Sequence, residues 1–208
     1  MKPSKIRNLL FDLGNVIIDL DIDKTFAELE KILRPEADKK NIERIALEYE
    51  CGRISTDIFL NTLIGQSNAT MQAIDIINAW NGMLIGIPHN RLEMLSALRS
   101  NFNVYLLSNT NELHLDWVHR HLKEVHGVHD FEKRYFDQSY YSHLIGDRKP
   151  QPSIFKHIID DAFMIPELTL YMDDVKDNLD VAENLGFNTY LVREGEDVSE
   201  YLKGEGYF

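Results

Sequence analysis

The run Ile6-Arg7-Asn8-Leu9-Leu10-Phe11-Asp12-Leu13-Gly14-Asn15-Val16-Ile17-Ile18-Asp19 is nearly apolar, interrupted by one carboxylate and then by a Gly-Asn pair. A continuous apolar run suits a strand covered on both faces, as in a parallel sheet, and Gly14-Asn15 marks where the extended chain must turn. Asp12 is then delivered to the carboxyl end of the first strand, where open α/β sheets bind their ligands. Taken alone, the stretch equally admits an aspartate that only caps a turn. Later stretches have to decide.

They do so first by their periodicity. From Thr25 a helical pattern runs through Phe26, Leu29, Ile32 and Leu33, and helical spacing continues to about Pro88 with almost no strand signal. Gly52 breaks it, and Ser55 supplies an N-cap for the helix that follows. Beyond Pro88 helices and extended segments alternate: Leu92, Leu95 and Leu98, then Asn103 to Leu107, a helix through Leu113 and Leu122, extended pieces at Phe136 to Tyr141, Leu168 to Met172 and Asn188 to Val192, with a helix from Asn178 to Leu185 stopped by Gly186. Strands separated by helices imply a parallel sheet. The expected fold is α/β, a Rossmann-like three-layer core formed by residues 1–18 and 89–208 with a helical-bundle cap inserted over residues 19–88. Gly204-Glu205-Gly206 reads as a loose tail. A length of 208 residues suits one principal domain with a smaller insert.

The totals exclude whole classes of partner. With 22 Lys and Arg against 34 Asp and Glu, the formal charge of -12 leaves no basic face for nucleic acid. No apolar stretch approaches the roughly 20 residues of a membrane span, and Met1-Lys2-Pro3-Ser4-Lys5 leads into the first strand without a secretory core. A cytoplasmic protein without membrane or nucleic-acid partners is expected, monomeric or weakly dimeric. The single cysteine, Cys51, rules out an internal disulfide or a cysteine metal cage. His114, His119, His121, His126 and His129 lie close in sequence, but helical spacing separates them and a histidine metal site is not expected.

Three strands end in polar groups: Asp12, then Ser108-Asn109, then Asp173-Asp174. Parallel strands bring such ends to one edge. Two carboxylates meeting there with a backbone carbonyl are hard oxygen ligands suited to Mg²⁺. Asp147-Arg148-Lys149-Pro150-Gln151-Pro152 adds two cations in a stiff loop, of which Lys149 is the better placed to bridge a carboxylate and a phosphoryl oxygen.

In order, these stretches resemble the four motifs of the haloacid dehalogenase-like (HAD) hydrolases. The resemblance implies that Asp12 is the nucleophile, that Ser108 and Asn109 hold the phosphoryl group together with Gly14 and Asn15, and that Lys149 neutralises charge. It implies Mg²⁺ on Asp12, the Gly14 carbonyl and Asp174, with Asp173 and Asn178 supporting them. The insert is similar to a mobile helical cap, to which Asp19, Asp21, Glu50 and Arg53 would contribute specificity. The implied activity is Mg²⁺-dependent hydrolysis of a small phosphorylated metabolite through an aspartyl phosphate, and the Asp-x-Gly-Asn form resembles sugar-phosphate phosphatases. Where the family ordinarily carries a general acid this chain has Gly14, which points to leaving groups that need little protonation, such as a sugar 1-phosphate. Two alternatives stand beside this reading: metal-independent dehalogenation, and a catalytically silent binding protein that retains the fold.

Overall fold

The computed structural model describes residues 5–208, so the reading of Met1 to Ser4 lies outside the described residues. Seven strands and eleven α-helices follow one another along these residues. The central sheet is built from β1 (Asn8–Phe11), β4 (Asn103–Ser108), β5 (Gln138–Tyr141), β6 (Thr169–Asp173) and β7 (Asn188–Leu191), in the order β5-β4-β1-β6-β7. Every neighbouring pair is parallel. The opening apolar run thus lies in mid-sheet, with Leu9, Leu10 and Phe11 fully buried.

Alternation along β1 creates the three layers. Leu9 and Phe11 enter one cluster with Leu106 and Met172, closed by Leu92, Leu95 and Leu98 of α5 (His89–Leu98), by Val118 and Leu122 of α6 (Glu112–His126), and by Val198 and Leu202 of α11 (Val198–Gly204). Leu10, with Leu107 and Tyr171, faces the other way onto Ile154, Phe155 and Ile158 of α9 (Pro152–Asp161) and Leu179 and Ala182 of α10 (Lys176–Asn184). Each large apolar side chain so enclosed contributes about 1.5–3 kcal/mol. The register sets Phe11 opposite both Leu106 and Met172, so β1, β4 and β6 finish together and present Asp12, Ser108 and Asp173 at one edge.

Between β1 and α5 the chain forms α1 (Ile22–Ile32), α2 (Lys39–Glu50), α3 (Thr56–Gln66) and α4 (Ala73–Trp80). They enclose their own cluster, with Leu29, Ile45, Tyr49, Phe59, Leu63, Ile76 and Trp80, and Leu113 of α6 joins it. Ser55 caps α3 by accepting from the Ile58 amide, and Gly52 ends the preceding turn at φ +64°. A side chain at Gly52 would lie 2.0 Å from the His143 carbonyl oxygen, so the chain is pressed against the core there.

Two features depart from the sequence reading. The junctions of the helical segment are paired as an antiparallel ribbon, β2 (Asp19–Leu20) with β3 (Leu84–Gly86), too short to leave a periodic signal. The C-terminus is packed: α11 is followed by Tyr207, which is buried against Phe102 and donates its amide to the Leu202 carbonyl. The Gly-rich segment therefore ends a helix whose Val198 and Leu202 are core residues. Among the described residues, no helix is long and apolar enough to cross a membrane.

Candidate active site

Asp12 directly follows β1 and is fixed by its amide, which donates to the Met172 carbonyl at 2.9 Å. Its Oδ1 accepts from Lys149 Nζ at 2.7 Å, and the same ammonium donates to Asp173 Oδ2 at 2.7 Å. Lys149 is only 1% exposed and Asp173 is fully buried. Such charges survive desolvation only when paired and fully hydrogen-bonded. The rest of the network meets that condition for Asp173. Its Oδ1 accepts from the Val175 amide at 2.8 Å, Asn178 Nδ2 lies 3.1 and 3.0 Å from its two oxygens, and the Tyr171 hydroxyl donates to Oδ2.

Asp173 is therefore occupied on both oxygens, whereas Asp174 turns to the cavity half-buried, with Oδ2 accepting from Asn15 Nδ2 at 2.9 Å. Asp12, Asp173 and Asp174 have carboxylate oxygens within 4.8 Å of one another. This cluster fits a hard divalent cation. Because Asp173 is engaged elsewhere, Asp12 and Asp174 are the carboxylates available to a metal. The turn after Asp12 is held by Ile18 N on Leu13 O and Asn15 N on Ile18 O, at 2.8 and 2.7 Å, neither of which uses the Gly14 carbonyl.

Charge and burial act against each other here. Burial pushes the Asp12 carboxyl up to about 7, with Lys149 opposing the shift and Asp173 adding to it. Burial lowers the Lys149 ammonium, but the two carboxylates outweigh it and hold the group above its ordinary value. Burial likewise raises Asp174, with Asn15 opposing. An acidic trio around one cation is the state a divalent ion would relieve.

The loop carrying Lys149 is tied to the end of β4. Asn109 Oδ1 accepts from the Lys149 amide at 2.9 Å, and Asn109 Nδ2 donates to the Lys149 carbonyl at 3.0 Å. Both ends of this side-chain amide are thus engaged in positioning Lys149. The same holds for Asn15, at φ 52°, whose Oδ1 accepts from the Leu20 amide while Nδ2 holds Asp174. Asparagine tolerates this left-handed backbone better than most residues. Of the four residues expected to hold substrate, Ser108 and Gly14 keep groups available at the cavity, while the Asn15 and Asn109 side chains act through their neighbours.

Above this edge lies a cavity of about 660 Å³, lined by Asp12, Gly14, Ser108, Lys149 and Asp174 at one end and by the helical segment at the other. Glu50 reaches it and pairs with Arg148 at 3.1 Å. Burial raises the Glu50 carboxyl against the pull of Arg148. The other residues expected to choose the substrate do not line this cavity. Asp19 pairs instead with buried Arg91 at 2.8 Å, Asp21 caps α1 by accepting from the Lys24 amide, and Arg53 pairs with Glu48 at 3.2 Å. Among the histidines, His114 is buried against Trp80 and bonded to Asn111 and the Trp80 carbonyl. Burial lowers it to about 4, so it is a neutral packing residue.

Three contributors were not legible beforehand. Tyr171 shares a strand face with Asp173 two positions away, but its phenol is hidden in an apolar run. Ser142 accepts from the Thr110 amide at 2.9 Å and donates to the Glu50 carbonyl at 2.6 Å, linking the end of β4 to the helical segment. Leu20 fills the space beside Gly14: a Cβ added there would lie 2.7 Å from Leu20 Cδ1. No local pattern signals either of the last two.

A parallel sheet that brings an aspartate, a hydroxyl, an acidic pair and a buried lysine to one edge defines an α/β protein with an aspartate-centred site. No protein-family model matches the chain. It is 33% identical over 203 residues to D-ribitol-5-phosphate phosphatase of Bacteroides thetaiotaomicron, covering 95% of this chain and 97% of that protein. A HAD family enzyme of the same organism, solved in complex with magnesium and inorganic phosphate, is 35% identical with a TM-score of 0.83, covering 94% of this chain and 98% of that one. A predicted HAD-like family hydrolase of Porphyromonas gingivalis is 30% identical with a TM-score of 0.85, covering 96% and 97%. The chain belongs to the HAD family of hydrolases.

Proposed function

We propose that the protein is a Mg²⁺-dependent phosphatase of small phosphorylated metabolites, with sugar phosphates as the first class to consider, acting through an aspartyl phosphate on Asp12. The observation that carries this reading is the shared ammonium of Lys149, 2.7 Å from both Asp12 and Asp173. It orients one Asp12 oxygen and lowers the repulsion that a carboxylate meets at a phosphoryl group. The phosphatase and the magnesium-phosphate complex among the relatives support the same reaction.

In this reading Asp12, the Gly14 carbonyl and Asp174 hold Mg²⁺, which when bound neutralises charge on the phosphoryl oxygens. Asp12 attacks phosphorus, Ser108 donates to a phosphoryl oxygen, and Lys149 stays protonated throughout. Asn15 and Asn109 keep Asp174 and Lys149 in place, and Tyr171 and Asn178 do so for Asp173. Residues 19–88 form the cap over a core of residues 1–18 and 89–208, and Glu50 is its contribution nearest the chemistry. The protein would work in the cytoplasm as a monomer or weak homodimer. The test is phosphate release over a panel of sugar and other metabolite phosphates, with Mg²⁺ and with chelator. Mg²⁺-dependent release supports the reading, and equal release in chelator overturns it.

Two further results are expected. Since burial holds the Asp12 carboxyl near 7, Mg²⁺ must displace a proton below that pH and none well above it. Apparent Mg²⁺ affinity should rise from pH 6 to 7 and level off by pH 8. Calorimetry in buffers of different ionisation enthalpy should register about one proton released at pH 6. An affinity independent of pH would contradict the assignment.

A Cβ at position 14 would meet Leu20 Cδ1, the end of a flexible side chain, at 2.7 Å and nothing else within 3.5 Å, so Gly14→Asp is accommodated by a turn of Leu20. Gly14→Asp should speed alkyl phosphates relative to aryl phosphates by about 10²-fold, the scale of general acid catalysis. An unchanged ratio of the two rates would show that an acid at this position does not reach the leaving group.

A further inference from the structure

Asp173 and Asp174 are held very differently. Asp174 lies between β6 and α10, outside the network that fixes Asp173, and takes its side-chain hydrogen bond from Asn15 Nδ2 at 2.9 Å. It borders two spaces, the catalytic cavity and a second one of about 940 Å³ beside the β2–β3 ribbon, which Asp19, Leu20, Asp21 and Arg91 also line. A half-buried carboxylate at such a border has room to turn, and the Asn15 amide opposes it.

The other end of that amide is bonded to the ribbon. Asn15 Oδ1 accepts from the Leu20 amide at 3.1 Å. With its NH₂ on a carboxylate and its oxygen on an N–H, the carboxamide has one orientation, because the flipped form would set oxygen against oxygen and NH₂ against N–H. Leu20 belongs to β2, where the chain leaves the core for the helical segment, and pairs with Leu84 of β3, where it returns. Asp19 beside it is clamped by Arg91 of α5 at 2.8 Å. The turn from Asp12 to this strand is pinned by Ile17 N and Ile18 N on Leu13 O, with Val16, Ile17 and Ile18 buried. What can respond at the junction is the Asn15 side chain.

The backbone of Asn15 points the same way. At φ 52° it is, with Phe163, one of two non-glycine residues at positive φ among the described residues. Glycine meets that conformation without steric cost. Asparagine here carries a side chain that the turn does not need, and its two side-chain hydrogen bonds go outside the turn, to the ribbon and to a residue 159 positions away.

We propose that Asn15 is a positioning residue that couples the cation site to the hinge of the cap, an inference that rests on the Mg²⁺-dependent reading above. With the Leu20 amide on its oxygen, Asn15 holds the Asp174 carboxylate towards Asp12. When the ribbon moves away, the amide is free to rotate and Asp174 loses its donor. Occupation of the cation site and the joined ribbon therefore favour each other by the same factor, since coupling between two sites is reciprocal. Side chains that orient metal ligands are worth about 10- to 100-fold in metal affinity.

The experiment measures Mg²⁺ binding by calorimetry at pH 8, without substrate, in the natural protein, Asn15→Gly, Leu20→Pro and the double variant. Glycine accepts the left-handed backbone, and proline removes the Leu20 amide hydrogen while leaving Asn15 and Asp174 present. Each single change should weaken Mg²⁺ about tenfold, and the double variant should bind no more weakly than Asn15→Gly. Full affinity in either single variant, or losses that multiply in the double as independent sites do, overturns the inference. Hydrogen exchange reads the hinge directly. Saturating Mg²⁺ should slow the amides of residues 19–21 and 84–86 several-fold in the natural protein and leave them unchanged in Asn15→Gly. Equal slowing in both, or none in the natural protein, also overturns the inference. Melting curves without metal show which variants are folded, and if Leu20→Pro is not, the exchange comparison of the natural protein with Asn15→Gly decides alone. A natural protein that binds no Mg²⁺ overturns the metal-dependent reading together with the inference.

Discussion

Asp12→Asn should lower phosphate release by at least about 10⁴-fold while leaving the protein folded. The amide keeps the size of the carboxylate but lacks its nucleophilic oxygen, so the loss belongs in kcat. Stability should change little or rise in the absence of metal. Burial already disfavours the charged Asp12, whose carboxyl lies near 7, so at pH 8 the substitution removes a charge that is costly to bury. Lys149 keeps Asp173 as a partner at 2.7 Å. Steady-state kinetics and thermal melts on the same preparation test both parts. A residual activity within about tenfold of the natural protein would exclude Asp12 as the nucleophile.

Lys149→Met should have the opposite balance, a large loss of stability beside the loss of activity. Removing the ammonium leaves Asp12 and Asp173 facing each other in a buried site. Breaking a buried ion pair from one side costs about 3–5 kcal/mol, which for a chain of this size corresponds to a fall in Tm of about 10 °C. The pH dependence has a definite sign. Without Lys149, which opposes the rise, burial and the Asp173 charge hold the Asp12 carboxyl still further above its value in the unfolded chain. It therefore binds more protons on folding, and stability falls as pH rises through that interval. The gap between variant and natural protein should be widest at pH 8 and narrow towards pH 5. Equal melting temperatures at pH 8 would show that the Lys149 pairings carry no stability.

Much of this arrangement was legible because it depends on local pattern. A nearly apolar β1 followed by Asp12 needs a central parallel position, and β6 repeats the device with Asp173-Asp174. Once the strands are parallel, their ends must coincide, and Lys149 completes the set from a loop that proline stiffens. What stayed hidden depends on contacts distant in sequence. The division of labour between Asp173 and Asp174 is set by Tyr171, Asn178 and Lys149, not by the Asp-Asp pair itself. Asp19 reads as a free hinge acid until Arg91, buried on α5, claims it, and the β2–β3 ribbon is too short for any periodicity. The helical segment reads as helices from its spacing, yet the chemistry of its inner surface appears only when Phe26 and Leu47 are seen to line the same cavity as Asp12.

Gly14 changes meaning most. In the sequence it marks a turn and an absent acid, and in the fold it is the neighbour that lets Leu20 approach.

The most direct measurement of the central claim is reductive trapping of the intermediate. Enzyme with Mg²⁺ and an excess of a turned-over phosphate ester is quenched, treated with borohydride, digested and analysed by mass spectrometry. An aspartyl phosphate is reduced to homoserine, so the peptide spanning Leu9 to Val16 should carry homoserine in place of Asp12, and only when substrate was present. Unmodified Asp12 in every sample, with homoserine at another aspartate, would contradict the account.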